Sequence, residues 1–539
     1  MRVRRLPGTW LWACLGAFAA TPGFAQPTGL PADPTPAGAT PAERERVLEP
    51  PPAVVLEENE APGPLSAGWH AWLADRLAVE SQSAAPVQRA LPGDAGLSPS
   101  TQTWNRMRLG GAWVYAASRG FVREFQAVVE ADVDRGSLDR FDAPGNTLTL
   151  RKAFVEATTL AGQFGAGRMV TSWGLGLVAQ AGEDDPLQFG MRRGGSIVDR
   201  VQYAVLPAAP FQHGDPLKAF PLALAIAYDR VVSDDNVRLR QDWDGVVGGT
   251  DHGRNLVAAL LYRGKDLQLG AYASSRHQTD VQSLGLDARI ADAYGRWQVR
   301  HGGWTFAIAG ETVYASGTTT WLRTPANPEL LQIEQFGGAA RIEATHGQVH
   351  ARLEAGVASG DSRPFDETVR NFAFASDYRV GLVLFPAYLS AVSATTRANI
   401  ADPRFLGQPP AGVEHVLTHG AVTQAMYVHP VVRIQATRRI AVLGGLVWAR
   451  APVDAADPYL SSLAGGSPTG PRGARSKRDL GLEVDAAAEF IQPLEDHVQV
   501  LLRADAGVLL PGDAFDDANG HAAPAMAVVQ GQLALRARW

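Results

Sequence analysis

The residues leading up to Trp539 alternate without a break. Leu533, Leu535, Ala537 and Trp539 fall on one face, and Gln530, Gln532, Arg536 and Arg538 on the other. Successive side chains of a strand point to opposite sides, so one face of this segment is apolar and the other is wet. The same period recurs upstream, where Phe121, Phe125, Ala127, Val129, Ala131 and Val133 alternate with Glu124, Gln126, Glu130, Asp132 and Asp134. Leu480, Leu482, Val484, Ala486, Ala488 and Phe490 alternate with Glu483, Asp485 and Glu489. Val498, Val500, Leu502, Ala504 and Ala506 alternate with Gln499, Arg503 and Asp505. Apolar faces rich in Ala, Gly and Val thus repeat from Trp104 to the C-terminus with no helices to cover them. Closing such a sheet on itself satisfies every backbone group and leaves no edge in lipid.

A strand that ends on Trp539, with Arg536 and Arg538 on its wet face, resembles the closing strand of bacterial outer-membrane β-barrels. The resemblance implies an all-β fold, an antiparallel transmembrane β-barrel in a Gram-negative outer membrane, with outer-membrane lipid around it. It also makes Trp539 the signal that the barrel-assembly machinery reads.

The N-terminus fits export. Arg2, Arg4 and Arg5 precede an apolar run from Thr9 to Ala20, and Gly23-Phe24-Ala25 is a small-x-small cleavage site, so residues 1–25 read as a signal peptide. Cys14, the one cysteine, lies in that run, and its removal leaves no thiol for disulfides or metal. Residues 26–66, rich in Pro, Ala and Glu, read as a disordered periplasmic leader. Within Leu65–Gln82, Trp69, Trp72, Leu73 and Leu77 have helical spacing, so 67–103 reads as a short helix and linker, the helix lying against the rim or plugging the barrel. The barrel proper is 104–539. The chain carries 49 basic and 55 acidic residues, and three arginines leave with the signal, a balance that disfavours nucleic acid as a partner. After the signal no apolar run approaches the roughly 20 residues of a membrane helix, whereas membrane strands need only about 9 to 11.

Strand centres fall near 110, 127, 153, 166, 203, 225, 259, 271, 293, 310, 340, 353, 381, 429, 445, 486, 504 and 533. That makes about 18 strands, with 16 to 20 the range, a size class that encloses an aqueous channel. Long polar connections at about 135–146, 180–197, 232–252, 317–333, 360–376, 398–420, 451–478 and 511–525 read as extracellular. Short ones near Gly264-Lys265, Gly302, Gly347 and Pro493 read as periplasmic. With both ends periplasmic the two kinds must alternate, and this assignment loses phase between 360 and 420.

The wet faces supply the candidate site. Arg168, Arg341, Glu343, Arg352, Glu354, Glu483, Asp485, Arg503, Asp505, Arg536 and Arg538 are expected to line a pore of mixed sign. A two-residue turn at Gly347-Gln348 sets Glu343 opposite Arg352 and Arg341 opposite Glu354, an arrangement that stiffens the wall. Gly165-Ala166-Gly167-Arg168 and Trp173-Gly174-Leu175-Gly176 are similar to stretches of carbohydrate-handling barrels of the alginate-export and capsule-assembly types. Gly481 to Asp485 and Leu510 to Phe515 resemble the closing hairpins of the alginate-export type and of an uncharacterised family of predicted outer-membrane proteins. The resemblance implies a conduit for polar solutes, saccharides or an exported polysaccharide, although no Arg-lined corridor is evident. Asp513, Asp516, Asp517 and Asn519, or Glu183, Asp184 and Asp185, have the oxygen ligands of a Ca²⁺ loop but match no defined spacing, and read as solvated acidic loops. His415 and His419 sit among Gly and Pro, so no metal and no cofactor is expected. No local motif picks out a nucleophile, so a porin-like channel, not an enzyme, is expected. A plugged surface-attachment barrel and a rim-sited hydrolase are the alternatives.

Overall fold

In a computed structural model, the chain is described over residues 65–87, 97–117, 120–137, 145–191, 194–208, 220–236, 252–279, 284–321, 330–363, 366–401 and 420–539. The expected signal peptide, all of the expected leader before Leu65, and His415 and His419 lie outside these residues.

Alternating segments pair in chain order to form a wall. Its first half is β1 (Leu65–Gln82), β2 (Ser100–Ala117), β3 (Val122–Gly136), β4 (Gly145–Thr159), β5 (Gly162–Thr171), β6 (Ser196–Val205), β7 (Leu222–Ser233), β8 (His252–Arg263) and β9 (Leu267–Thr279). The second half is β10 (Gly285–His301), β11 (Trp304–Thr319), β12 (Leu331–His346), β13 (Val349–Ala358), β14 (Ala425–Gln435), β15 (Ile440–Arg450), β16 (Asp479–Glu495), β17 (Val498–Pro511) and β18 (Met526–Arg538). Each strand is antiparallel to its neighbours, and β18 pairs with β1, Leu533 opposite Leu77, so no edge remains. Trp539 completes the seam: its N–H donates to Ala71 O at 2.9 Å and its own carbonyl accepts from Ala71 N at 3.0 Å. A two-residue strand, Thr368–Val369, lies parallel to β12 outside this wall.

The expected architecture, an antiparallel barrel of 18 strands, is therefore what the chain forms. Two strands differ from expectation, and the differences cancel in the count. Leu65–Gln82 is β1 and not a helix, so the wall begins there and not at 104. Trp69, Leu73 and Leu77 repeat every four residues, which fits a helix face and equally one face of a strand. Trp72 separates the two, because it points inward and donates its indole N–H to Glu130 at 2.9 Å. Pairing decides it, since β2 and β18 would otherwise leave two open edges. Conversely, the segment near 381 is not a strand. It belongs to one long connection, 359–424, containing a π-helical turn (Leu384–Leu389) and helix α1 (Ser390–Ala401). With that exchange the connections fall alternately at the two ends of the wall, and those at the periplasmic end are short apart from 206–221 between β6 and β7. Pro493 also lies within β16, at a register shift opposite β17, and the strand runs on to Glu495.

Outward parity is apolar, while inward parity is charged and polar on strands such as β3, β17 and β18. It is small or aliphatic on β7, β8 and β15, where Ala223, Ala225, Val257, Ala259, Leu443 and Val447 are buried beneath the inward loops. On β18, Leu533, Leu535 and Trp539 are exposed on the outside, the small Ala537 shares their parity but is buried, and Gln530 and Gln532 are buried inward. Aromatic rings collect at the short-turn end of the outer wall, among them Trp69, Phe164, Phe220, Trp297, Trp304 and Trp539. Tyr228, Tyr314, Phe336 and Trp448 mark the other end. From Phe220 to Tyr228 is roughly 27 Å along an extended chain, about 20 Å across a bilayer at the usual tilt. An aliphatic band of that height between two aromatic girdles is the wall of a barrel that spans a membrane. Among the described residues no helix is long and apolar enough to cross one.

Candidate functional site: a lumen lined by charge and narrowed by two inward loops

The hairpin β12–β13 forms as its turn dictates. Gly347, at φ +55°, allows the tight turn, and Glu343 pairs with Arg352, Ala344 with Ala351 and Arg341 with Glu354. Arg352 Nε donates to Glu343 at 2.8 Å, and Arg341 Nε to Glu354 at 2.5 Å. Ile342 and Leu353 point outward. Glu483, Asp485, Arg503 and Asp505 are inward and buried, and Arg536 and Arg538 share the inward parity of Gln530 and Gln532.

Arg168 does not line the lumen. Met169 beside it is fully buried inward while Phe164 is exposed outward, and this parity puts Arg168 on the outer wall. There its guanidinium forks onto Asp199 at 2.7 and 3.0 Å, on the same side of β6 as the exposed Val201. The sequence alone leaves the parity of a strand with three glycines open, because glycine carries no side chain to mark a face.

Two connections expected to be extracellular fold into the barrel. The first, 172–195 between β5 and β6, begins with Trp173-Gly174-Leu175-Gly176. Trp173 donates to Asp292 at 2.8 Å and packs on Tyr272. Gly174 and Gly176, at φ +56° and +96°, turn the chain so that consecutive amides face the wall carboxylate of Glu311. Glu311 accepts the N–H groups of Leu175, of Gly176 at 3.0 Å and of Leu177 at 3.2 Å. The loop then carries an acidic tip inward. Asp184 meets Arg76 of β1 and, at 3.1 Å, Arg536 of β18, while Asp185 meets Arg352 at 2.8 Å. Glu183-Asp184-Asp185 is therefore an internal clasp and not a solvated outer loop. Asp513 and Asp516 lie beside Lys477, and Asp517 binds His521.

The second loop, 359–424, is held by the same device. Glu483 accepts the N–H groups of Leu382, Val383 and Leu384 at 2.5, 2.7 and 2.6 Å. Gly381, at φ +68°, brings the backbone so close that a Cβ there would meet the Glu483 carboxylate at 2.5 Å. Around that anchor Phe374, Tyr378, Phe385 and Tyr388 are fully buried, forming with Phe189 and Leu187 of the first loop an apolar cluster inside the barrel. Tyr378 and Tyr427 both donate to Glu354, at 2.9 and 2.7 Å. Asp377 joins the loops by accepting Gly195 N–H at 2.6 Å and Gly194 N–H at 3.2 Å.

An arginine-rich sector also lines the lumen; strand-by-strand reading finds its Arg503 and Arg536 but not Arg76, Arg106, Arg108 and Arg151. Arg106 pairs with Asp134 at 2.7 Å, Arg108 with Asp132 at 2.7 Å, Arg151 with Glu130 at 2.6 Å and Arg503 with Glu489 at 2.6 Å. With Arg76 and Arg536 these come from β1, β2, β4, β17 and β18, strands far apart in sequence that closure makes neighbours. The signal for it is the seam itself: once β1 is read as a strand, the two ends of the chain must be superposed. Among the described residues, no group of three or more His, Cys, Asp or Glu side chains is arranged to hold a metal ion.

No protein-family model matches the chain, and no curated protein matches it in sequence. Solved porin structures are similar in overall form. OccK2 (OpdF) of Pseudomonas aeruginosa, crystallised with glucuronate, is 10% identical with a TM-score of 0.47, over 87% of this chain and 96% of that one. OpdK of the same organism, crystallised with vanillate, is 11% identical with a TM-score of 0.48, over 87% and 99%. A BenF-like porin from Pseudomonas fluorescens Pf-5 is 8% identical with a TM-score of 0.47, over 87% and 98%. None of these three is an alginate-export or capsule-assembly barrel.

Proposed function

We propose that this protein is an outer-membrane channel for small polar solutes. The observation that carries the reading is the lumen: a polar, charged bore narrowed by two loops that wall carboxylates hold in place. Arginines and the carboxylates paired with them give the lumen a lining of mixed sign, which suits hydrated solutes with both donors and acceptors. A packed cluster around Phe189 and Tyr378 occupies part of the bore, which favours small sugars and organic acids over an exported polysaccharide. Liposome swelling with sugars of increasing size tests this. Entry of monosaccharides with exclusion of oligosaccharides is expected, and equal entry of both would contradict it.

A second reading is a barrel that the same cluster plugs, its outer loops serving attachment. Reconstituted protein without conductance favours that reading. Trp539, exposed at the seam beside Ala71, is proposed as the assembly signal. Trp539→Ala should lower the yield of heat-modifiable protein in cells but leave refolding from urea into detergent intact.

A further inference from the structure

The outer wall of β6 to β10 carries a lateral row of charge that the channel does not use. Strand register places Asp199 beside Arg230, Arg230 beside Arg254, Arg254 beside His277 and His277 beside Asp287. All share outward parity with their apolar neighbours, and Arg230 and Arg254 are exposed. Asp199 is engaged by Arg168 and Asp287 by His277, so neither acid is free for the arginines between them. Arg289, also exposed, stands two residues from Asp287 on the same face.

Two features argue that this row meets an anion. Arg230 and Arg254 are directly opposite on adjacent strands, where like charges destabilise the pair unless a counter-charge bridges them. No ion pair or hydrogen bond joins either one to another described residue. Their height is the second feature. Each lies two residues beyond the last exposed large apolar side chain of its strand, Tyr228 on β7 and Leu256 on β8, which are 50% and 63% exposed. On the side of the long loops, that is the level at which a bilayer passes from hydrocarbon to headgroup. Guanidinium groups fork onto phosphate oxygens, and the low-dielectric edge of the bilayer strengthens the contact.

We propose that Arg230 and Arg254, with Arg289, form a binding surface for the phosphate of a membrane lipid headgroup in the leaflet facing the long loops. The inference rests on the membrane-spanning reading but not on conduction. The full-length refolded protein in detergent is incubated with phosphatidic acid, or with diacylglycerol as its phosphate-free counterpart, and retained lipid is counted by native mass spectrometry. Phosphatidic acid should be retained and diacylglycerol should not. Arg230→Gln/Arg254→Gln should lose retention by roughly tenfold. The double variant Arg300→Gln/Arg439→Gln, at the short-turn end, should retain lipid as the parent does. Equal retention by both double variants overturns the proposal. So does displacement of the lipid by millimolar inorganic phosphate alone, which marks a site for soluble anions. Both variants should keep the parent's heat-modifiability and conductance, so a failure of the channel reading shows in the parent protein and a failure of this surface only in lipid retention.

Discussion

Arg352 shows how much one residue of this wall carries. It faces Glu343 across the β12–β13 pair and takes Asp185 from the inward loop at 2.8 Å, so it joins the hairpin to the constriction. Glu343→Arg sets like charges opposite one another and should weaken the hairpin by up to about 1 kcal/mol, less in high salt, as measured by urea unfolding in detergent. The double reversal, Glu343→Arg with Arg352→Glu, should restore the hairpin but not the loop contact, because the carboxylate brought in by the second change would repel Asp185. Recovery is therefore expected to be partial, and full recovery would show that Asp185 contributes nothing. Glu483 is the stronger anchor. Glu483→Gln swaps a carboxylate oxygen for an amide that cannot accept all three N–H groups, which should cost about 1.5–3 kcal/mol. Faster amide exchange at Leu382, Val383 and Leu384, with an unchanged barrel, is the expected readout; unchanged exchange would show that packing alone holds the loop.

At the scale of elements, strands were far more legible than loops. Inward and outward parity on β3, β12, β13, β17 and β18 could be read residue by residue, because large apolar and charged side chains alternate there. Parity failed on β5, where Gly162, Gly165 and Gly167 leave little to mark a face, and β1 was hidden because its aromatic spacing fits two periods. Whether a polar connection lies outside the barrel or folds into it has no local periodicity at all. It depends on a distant wall residue, Glu311 for one loop and Glu483 for the other. The outer loops add a titratable contact. Asp457 caps helix α2 (Pro458–Leu463) by accepting Leu460 N–H at 2.7 Å and takes the Thr396 hydroxyl of α1 at 2.9 Å. Burial pushes its carboxyl up from 3.8 to about 6. A raised folded-state value means that the protonated form is favoured by folding. The contribution is therefore fully present below pH ~4 and is lost as pH rises through about 6. Amide exchange in α1 and α2 should accelerate over that window, and Asp457→Asn should flatten the dependence.

At the scale of the whole molecule, closure determines what the residues do. The arginine sector exists only because β1 and β18 are paired, and the lumen is narrow only because wall carboxylates capture two long loops. The large apolar side chains exposed on the outer wall have no protein to cover them, and lipid takes that place. The central claim is that this closed wall encloses a conducting bore. Single-channel recording of the refolded, heat-modifiable protein in a planar bilayer tests it most directly. Discrete, uniform current steps are expected, with larger and noisier openings in Glu483→Gln as its loop loosens. A folded barrel that inserts and yields no steps, in the parent and in Glu483→Gln alike, would contradict the account.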